Sequence, residues 1–580
     1  MLMDGKTARL RGAHLRREVI LSTVSGVAST KKEMVSYFDR KTCIDVITTK
    51  SFQLVPNPGN REPVICCVAP GDFGNSVGLR NPGLDVALED IRKLREHGLE
   101  KILNISVSAS SPEDFIALVK AFDPYADSIE LNFSCPHAAA GYGASIGCDQ
   151  AVASEYVRRI REAYPEQESA LFVKLTPNVE DIGSIARACI EAGADGIVAI
   201  NTVGPKLYTE AHSGKPILNN KLGGKGGASG TWVRKTALKA VKAIRKSIGD
   251  EAIIIGMGGV SRPEDVAAMV EAGADAVGLG SVFGTVAQRD WPHYLDCLKA
   301  EAKDILSGKP CTPEAEGLIR KENRMAYVPH RIVKRTVHTP EMLILELDGQ
   351  LDCKAGEFAF LFVPGLGEKP FSVAHNKPLT FLIRRRGFFT NALFDLKEGD
   401  TIYTRGLYGA PLKMEKHSKA LLVAGGSGVA VLPLVCDQLA GGDCHIDVLV
   451  GTSASSTVGC DGKALFEDYF RSHADSYEVI ADDGKVGRVL DHLDAHVAGK
   501  ADLVAYLVGP EIFMAIAARR LIALGVPANR ILMSLERSTL CGIGMCGECV
   551  CGDRLTCQWG TFQSYEYIHR EAPELLGEAR

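Results

Sequence analysis

Between residues 17 and 281 the chain passes through eight short apolar runs, and most segments between them have the periodicity of an amphipathic helix. The runs are REVILSTV, CIDVITT, KILNISV, SIELNFS, LFVKLT, GIVAINT, AIIIGMG and AVGLGS. Intervening segments such as DVALEDIRKLREHG and EYVRRIREAY space their apolar residues three and four apart. Eight strand–helix repeats in about 290 residues predict an α/β fold whose first part, residues 1–305, is a (β/α)8 barrel. No shorter internal repeat and no low-complexity segment is found.

The polar residues of this region fall in one place. Ser25, Lys50, Asn132, Ser134, Cys135, Lys174, Asn201 and Thr202 all lie at or just after strand ends, the face on which barrel enzymes keep their sites. Singly, each has a plain structural explanation: a lysine buried beside a carboxylate, or an asparagine capping a loop. Eight on one rim point to a site. The last two strands end in Gly258-Gly259 and Gly280-Ser281, and GGKGGASG, ending at Gly230, precedes the seventh strand. Glycines after strands seven and eight form the usual phosphate site of such barrels, suited to the phosphate of FMN.

The motifs Lys50-Ser51, Asn75-Ser76-Val77-Gly78-Leu79-Arg80-Asn81-Pro82-Gly83, Asn132-Phe133-Ser134-Cys135-Pro136, Lys174-Leu175-Thr176-Pro177-Asn178, Asn201-Thr202 and Gly256-Met257-Gly258-Gly259 resemble the catalytic barrel of the class 1 dihydroorotate dehydrogenases over residues 15–300. The resemblance implies FMN held by Ser25, Gly26, Lys50, Ser51, Lys174, Gly230, Gly258, Gly259, Gly280 and Ser281. It implies a substrate bound by Lys50, Asn75, Val77, Gly78, Leu79, Asn132, His137, Asn201 and Thr202. Cys135 would be the acid or base, and Lys174 would sit by the flavin N1 region. The residue types suit that chemistry. A cysteine of ordinary pKa about 8.5 can exchange a proton while a hydride moves on the other face of the ring. A lysine offers the positive charge that a reduced, anionic flavin needs, and asparagine amides match the alternating donors and acceptors of a pyrimidine. One position departs: the family has S-C-P-N where this chain has Ser134-Cys135-Pro136-His137, followed by AAAGYGASIGCDQ. That loop looks more like dihydropyrimidine dehydrogenase, so reduction of uracil or thymine, or of another small conjugated substrate, stands as the alternative.

The C-terminal half reads differently. HRIVKRTVH, EMLILELDG, EFAFLFVP, LTFLIRRRG and DTIYTRGLYG predict a small β-barrel over residues 326–415. In KALLVAGGSGVAVLPLV (419–435) a strand meets a glycine-rich turn, and Gly425, Gly426 and Gly428 let backbone amides approach a pyrophosphate. HIDVLVGTS, SYEVIADD and LVAYLVGPEIFM add strands to an α/β domain over 416–530. Gly509 and Pro510 end the last strand, where an open sheet binds its ligand.

Residues 531–580 hold LERSTLCGIGMCGECVCGDRLTCQWG, which concentrates five of the chain's 17 cysteines. Cys541, Cys546 and Cys549 follow C-x4-C-x2-C and Cys557 lies further on, the spacing of plant-type [2Fe–2S] ferredoxins. Gly542, Gly544 and Gly547 would let the backbone wrap a cluster. Zinc is the rival, although only one C-x2-C pair is present. Cys551 is the surplus thiol and the alternative fourth ligand.

A β-barrel, a nucleotide-binding domain and a cysteine-rich end, in that order, resemble the ferredoxin-reductase-type electron-transfer subunit of class 1B dihydroorotate dehydrogenase. Ser534-Leu535-Glu536-Arg537 and Cys541-Gly542-Ile543-Gly544-Met545-Cys546 match its motifs. The resemblance implies FAD at Lys369, Pro370, Phe371, Ser372, Gly387 and Thr390, NAD(H) at Gly425, Gly426, Gly428, Gly509 and Pro510, and a [2Fe–2S] cluster on Cys541, Cys546, Cys549 and Cys557. Lys369 replaces the family's arginine, keeping the charge but losing the bidentate fork. A flavin must stand between a two-electron nicotinamide and a one-electron cluster. The reading is therefore a fusion of a catalytic barrel and its own reductase, joined by a polar connector at 306–325, and the resemblance implies a homodimer. A rival of another class is an electron-transfer module that serves an external partner.

A net charge of −5 without a basic stripe makes nucleic acid an unexpected partner. No apolar run reaches the roughly 18 residues of a membrane span, and MLMDGKTARLRGAHLRREVI lacks an apolar signal core, so a cytoplasmic enzyme acting on a small molecule is expected. Cys66, Cys67, Cys189, Cys297 and Cys436 stand in apolar surroundings and are expected to be buried structural thiols.

Overall fold

The computed structural model describes residues 5–134, 144–440, 442–453, 458–459, 461–482, 488–497 and 502–578. The chain divides into two compact units: Met1–Asn323 with Ile543–Glu548, and Arg324–Gly542 with Cys549–Arg580.

In the first unit eight parallel strands close into a ring: Leu21–Thr23, Val46–Thr48, Ile102–Val107, Ser128–Asn132, Ala170–Lys174, Gly196–Ala199, Ile253–Met257 and Ala276–Leu279, the last pairing back onto the first. These are the eight runs predicted from the sequence. The helices between them form where apolar residues share a face: Leu84–Glu96 buries Ala87, Ile91 and Leu94, and Gln150–Ala163 buries Ala153, Val157 and Ile160. The second of these starts at Asp149, whose carboxylate accepts from the N–H groups of Ala151 and Val152.

The floor of the ring carries a fourfold repeat that no sequence period reveals. Asp45, Asp127, Asp195 and Asp275 each stand just before an even-numbered strand. Their carboxylates accept from the backbone N–H of Leu21, Leu103, Leu171 and Ile254 on the preceding strands at 3.0, 2.8, 2.8 and 2.9 Å. Their own N–H groups donate back to the carbonyls of the same four residues. Each carboxylate is paired with a cation from the helical layer: Lys299, Arg95, Arg161 and Arg245. The device satisfies strand ends that have no ladder partner.

Beside the ring lies a four-stranded sheet in the order Ile65–Ala69, Asp72–Asn75, Lys225–Gly230, Val203–Leu207. Most of GGKGGASG is thus an antiparallel strand, with Gly227, Ala228 and Ser229 opposite Asn75, Gly74 and Phe73. Pattern reading missed it because its side chains are too small to alternate.

The second unit contains a seven-stranded antiparallel sheet in the order Gly367–Phe371, Glu357–Val363, Thr401–Gly409, Val328–Thr339, Met342–Leu347, Leu379–Arg384, Val373–Asn376. Five strands are those predicted. The two edge strands, Gly367–Phe371 and Val373–Asn376, are additional, and only Ser372 separates them. Opposite edges joined by one residue require the sheet to curl round on itself, which gives a barrel-like form without paired edges. A second, mostly parallel sheet runs Ser476–Asp482, His445–Ser453, Lys419–Gly425, Leu503–Val508, Ile531–Ser534, Phe562–Ser564. The turn after Gly425 continues as a 3-10 helix over Gly426–Val431 before the α-helix Leu432–Leu439. Among the described residues no helix is long and apolar enough to cross a membrane.

Candidate functional site

A cavity opens at the C-terminal ends of the ring strands. Of the predicted site residues of the N-terminal half that the structure describes, Ser25, Gly26, Lys50, Ser51, Asn75, Val77, Gly78, Leu79, Asn132, Lys174, Asn201, Thr202, Gly230, Gly258, Gly259, Gly280 and Ser281 line it, and the rim residue Ser134 is buried behind them. Cys135 and His137 lie outside the described residues.

The polar groups of this rim form one hydrogen-bonded system. Ser51 Oγ is 2.9 Å from Ser25 Oγ and 2.9 Å from Ser106 Oγ, and it accepts from Asn132 Nδ2 at 2.9 Å. Asn132 Oδ1 accepts from Ser134 Oγ at 2.8 Å, and Ser134 Oγ accepts from Asn201 Nδ2 at 2.8 Å. Asn201 Oδ1 accepts from the Thr202 N–H at 2.7 Å. The chain Ser25–Ser51–Asn132–Ser134–Asn201–Thr202 therefore fixes which face each amide shows to the cavity. A branch runs inward, where Ser106 Oγ donates to Glu130 Oε1 at 2.8 Å and Lys174 Nζ lies 3.7 Å from the same oxygen. Glu130 is fully buried and its Oε2 has no hydrogen-bond partner among the described residues. The sequence reading passed over Ser106 and Glu130. A carboxylate inside the apolar run SIELNFS was the available signal, because buried glutamates are rare unless paired.

Among the described residues the lining includes two cations, Lys50 and Lys174, and no carboxylate, so the cavity favours anions. At one edge Gly259 has φ +75°, and a Cβ there would stand 2.5 Å from the Gly230 carbonyl oxygen. Only glycine fits, and the backbone is left open to a phosphate. The remaining walls are mostly apolar, with Val24, Ile65, Phe73, Ile200, Val233 and Met257 beside Ser229. One further lining residue, Met545, comes from the cysteine-rich loop. Its segment, Ile543–Glu548, belongs to this unit, and its carbonyl accepts from the Ala28 N–H at 2.9 Å. No pattern in the sequence linked residue 545 to the barrel rim.

Beyond the strand Val203–Leu207 the turn over residues 208–217 is held by Glu210. Its carboxylate accepts from the N–H groups of His212 at 2.9 Å and Ser213 at 2.6 Å. Burial alone would raise its pKa, but these donors outweigh it and bring the group down to about 2.

In the second unit Gly425, Gly428 and Gly509 meet at the C-terminal edge of the parallel sheet. A Cβ on Gly428 would lie 2.9 Å from the Val508 carbonyl oxygen and 3.0 Å from the Gly509 nitrogen. Gly426 begins the 3-10 turn and Pro510 precedes the helix Glu511–Ala523. Lys369, Pro370 and Phe371 end an edge strand, and Ser372 follows. Gly387 and Thr390 belong to the start of the helix Phe388–Leu393, where Thr390 Oγ1 accepts from the Arg386 and Gly387 N–H groups. The rings of Phe371 and Phe389 stand 6.5 Å apart, so the two segments on which FAD was expected lie together.

Cys541, Cys549 and Cys557 converge: the thiol of Cys557 is hydrogen-bonded with those of Cys541 and Cys549, which together with burial hold its pKa well above the ordinary value. Cys546 is also buried, on the segment that belongs to the first unit. Gly542, Gly544 and Gly547 have φ of +81°, +87° and +74°. Cys551 instead packs in an apolar core with Leu535 and Met533. Of the thiols expected to be structural, Cys66, Cys189 and Cys436 are buried, but Cys67 and Cys297 are only partly so. Each sits beside polar groups that a hydropathy pattern does not register.

Residues 9–293 match the family described as dihydroorotate dehydrogenase. The catalytic subunit of dihydroorotate dehydrogenase B (NAD(+)) from Methanocaldococcus jannaschii is 41% identical over 237 residues, covering 40% of this chain and 74% of that protein. The protein of the same name from Methanothermobacter thermautotrophicus is 39% identical over 274 residues, 47% of this chain and 85% of that one. Among solved structures, one of an NADH-dependent reduced ferredoxin-NADP oxidoreductase aligns with a TM-score of 0.37 at 25% identity, covering 43% of this chain and 93% of that chain.

Proposed function

The chain belongs to the dihydroorotate dehydrogenase family, and from that footing we propose that it is an NAD-linked oxidoreductase interconverting dihydroorotate and orotate in the barrel cavity. Its cofactors are FMN in the barrel, FAD on the segment 326–415, NAD(H) on 416–530 and a [2Fe–2S] cluster on 531–580, beyond a connector at 306–325. When bound, these groups carry hydride and electrons between the substrate and the nicotinamide by way of the cluster.

The observation that carries this reading is a cavity whose described lining has two lysines, no carboxylate and a row of fixed amides on one rim. Orotate and its dihydro form are anions, whereas uracil is neutral, so the lining charge favours the carboxylate-bearing ring. The residues also suit FMN. Gly258, Gly259 and Gly280 leave backbone amides free of side chains for its phosphate. Lys174 sets a positive charge beside the ring, held back by Glu130. Asn75, Asn132 and Asn201 present amides to a pyrimidine edge, Asn132 and Asn201 oriented by Ser51 and Ser134. Cys135, outside the described residues, would serve as the acid or base that the proton transfer needs. The sulfur set of Cys541, Cys546, Cys549 and Cys557 suits iron, with Cys557 favoured over Cys551 because Cys551 packs among apolar side chains. Met545, one residue from Cys546, lines the barrel cavity.

The test is anaerobic. Dihydroorotate is expected to bleach the oxidised flavin band, and Cys135→Ser to slow the bleaching. Uracil with NADH is expected to leave the rate of NADH oxidation unchanged. Flavin reoxidised by uracil and not by orotate would move the assignment to neutral pyrimidines. Flavin that responds to neither would end it. Light scattering on the holoenzyme tests the accompanying expectation of a homodimer.

A further inference from the structure

The last helix of the barrel, Trp291–Leu306, carries His293, Cys297 and Glu301 four residues apart, on one face. After Leu306 the chain turns back, and a short helix begins at Glu314. Glu301 Oε1 accepts from the N–H groups of Glu314 and Ala315, both at 3.0 Å, which holds Glu314 against that face. Glu314 Oε1 lies 2.9 Å from His293 Nε2. Cys297 Sγ lies 3.7 Å from His293 Nδ1 and 3.9 Å from Nε2. The imidazole, thiol and carboxylate ligand atoms all fall within 4.8 Å of one another. Glu301 is 7% exposed and its Oε2 is buried without a hydrogen-bond partner among the described residues.

We propose that His293, Cys297 and Glu314 form a zinc-class metal site that fastens the connector to the last barrel helix. Bonds of about 2.0–2.3 Å to a tetrahedral ion put ligand atoms about 3.4–3.8 Å apart. The thiol–imidazole separations are already close to that, and the His293–Glu314 pair has to open by only a few tenths of an ångström. The donor set of one sulfur, one nitrogen and one carboxylate oxygen is borderline in softness, which selects zinc over magnesium or calcium. The charge is also right. Glu314, Glu301 and Asp296 all act electrostatically on the Cys297 sulfur, a local excess that a divalent cation balances. The Cys297 thiol is hydrogen-bonded to Glu314 as well, so the imidazole, thiol and carboxylate already face one another, whereas a plain His293–Glu314 ion pair leaves the bare Glu301 oxygen unexplained. The side chains of His293 and Glu314 are 58% and 60% exposed, which gives the ion an entry path and leaves water the fourth position. On binding, the Cys297 thiol gives up its proton to solvent and the sulfur–metal bond replaces the S–H bond.

The experiment uses the holoenzyme with its iron and flavins in place, dialysed against a weak chelator and given one equivalent of zinc. About one zinc per chain is expected to be retained. Zinc-edge X-ray absorption is expected to show one sulfur at about 2.3 Å and lighter ligands at about 2.0–2.1 Å. Cys297→Ser and His293→Asn are expected to lose the retained zinc while keeping flavin content and NADH-linked activity. Amide exchange over residues 309–315 is expected to slow with zinc in the wild type and not in Cys297→Ser. Four sulfurs around zinc would place the ion at the cysteine-rich loop instead and overturn the proposal. So would wild-type protein that retains no zinc, or a Cys297→Ser variant that retains it as well as wild type.

Discussion

Asp275 and Arg245 meet at 2.6 Å on the floor of the barrel, with the carboxylate fully buried and the guanidinium nearly so. The same carboxylate holds the Ile254 N–H at 2.9 Å and His14 Nδ1 at 2.6 Å. Removing the guanidinium leaves a buried negative charge with one fewer donor. Arg245→Ala is therefore expected to cost about 3 kcal/mol, towards the lower end for a broken buried pair because His14 remains. Arg95 and Arg161 make the equivalent contacts to Asp127 and Asp195, whose side chains are each 18% exposed. Water can reach those carboxylates, so Arg95→Ala and Arg161→Ala are expected to cost about 1 kcal/mol each. Urea unfolding of the four proteins checks the order. Equal losses would mean that the floor repeats are not graded by burial.

Arg405 and Glu368 form a second buried pair, both fully enclosed, with two parallel contacts of 2.8 and 2.6 Å. The remaining Arg405 donors reach the Tyr408 hydroxyl at 2.7 Å and the carbonyls of Cys541 at 2.9 Å and Leu540 at 3.3 Å. The pair therefore positions the residue that opens the cysteine motif. Arg405→Met is expected to strand the Glu368 charge and free that carbonyl, costing about 3–5 kcal/mol and lowering retained iron. In wild type, iron and labile sulfide are both expected near about two per chain. The double change Arg405→Met with Glu368→Leu removes the stranded charge. It is expected to recover much of the stability while leaving iron retention low. Iron restored along with stability would show that Arg405 acts only through Glu368.

What the sequence made legible, and what it did not, follows from how far each signal reaches along the chain. The eight ring strands and the rim residues were legible because strand, turn and helix recur within tens of residues, and because a lysine or asparagine at a strand end stands out against an apolar run. The four floor aspartates were not, since each is one residue embedded in an ordinary helix-to-strand turn and its meaning lies in the neighbouring strand. Lys225–Gly230 was missed as a strand because glycine and alanine give no alternation. Glu130 and Glu368 were missed because burial with a distant partner is a tertiary fact. Met545 at the barrel cavity is the extreme case, more than 200 residues from the ring strands it accompanies.

Glu210 gives the protein an acid-sensitive clamp near the cavity. Its folded pKa of about 2 lies below the ordinary value of 4.5. A group depressed in this way contributes stability above its unfolded pKa and loses it as pH falls through the folded one. The contribution, up to about 3 kcal/mol at neutral pH from that shift, is expected to be whole above about pH 5 and to drain away between about pH 4.5 and 2. Glu210→Gln is expected to be less stable at pH 7 and to show a flatter acid limb. Urea midpoints at a series of pH values read both. An unchanged acid limb would mean that the turn over residues 208–217 does not limit unfolding.

Lys174 and Glu130 are expected to act on a bound flavin in opposite senses. The lysine charge would stabilise a reduced, anionic ring, and Glu130, 3.7 Å from the Lys174 nitrogen, would offset part of that charge. Glu130→Gln keeps an oxygen to accept from Ser106 but removes the offset. Lys174→Ala is expected to lower the flavin potential and to slow bleaching by dihydroorotate by about 10²–10³-fold. Glu130→Gln is expected to raise the potential, with flavin content retained in both. Anaerobic redox titration of the barrel flavin separates the two shifts. Shifts of the same sign in both variants would mean that the pair acts by holding the cavity's shape, and that the lysine charge is not what the flavin senses.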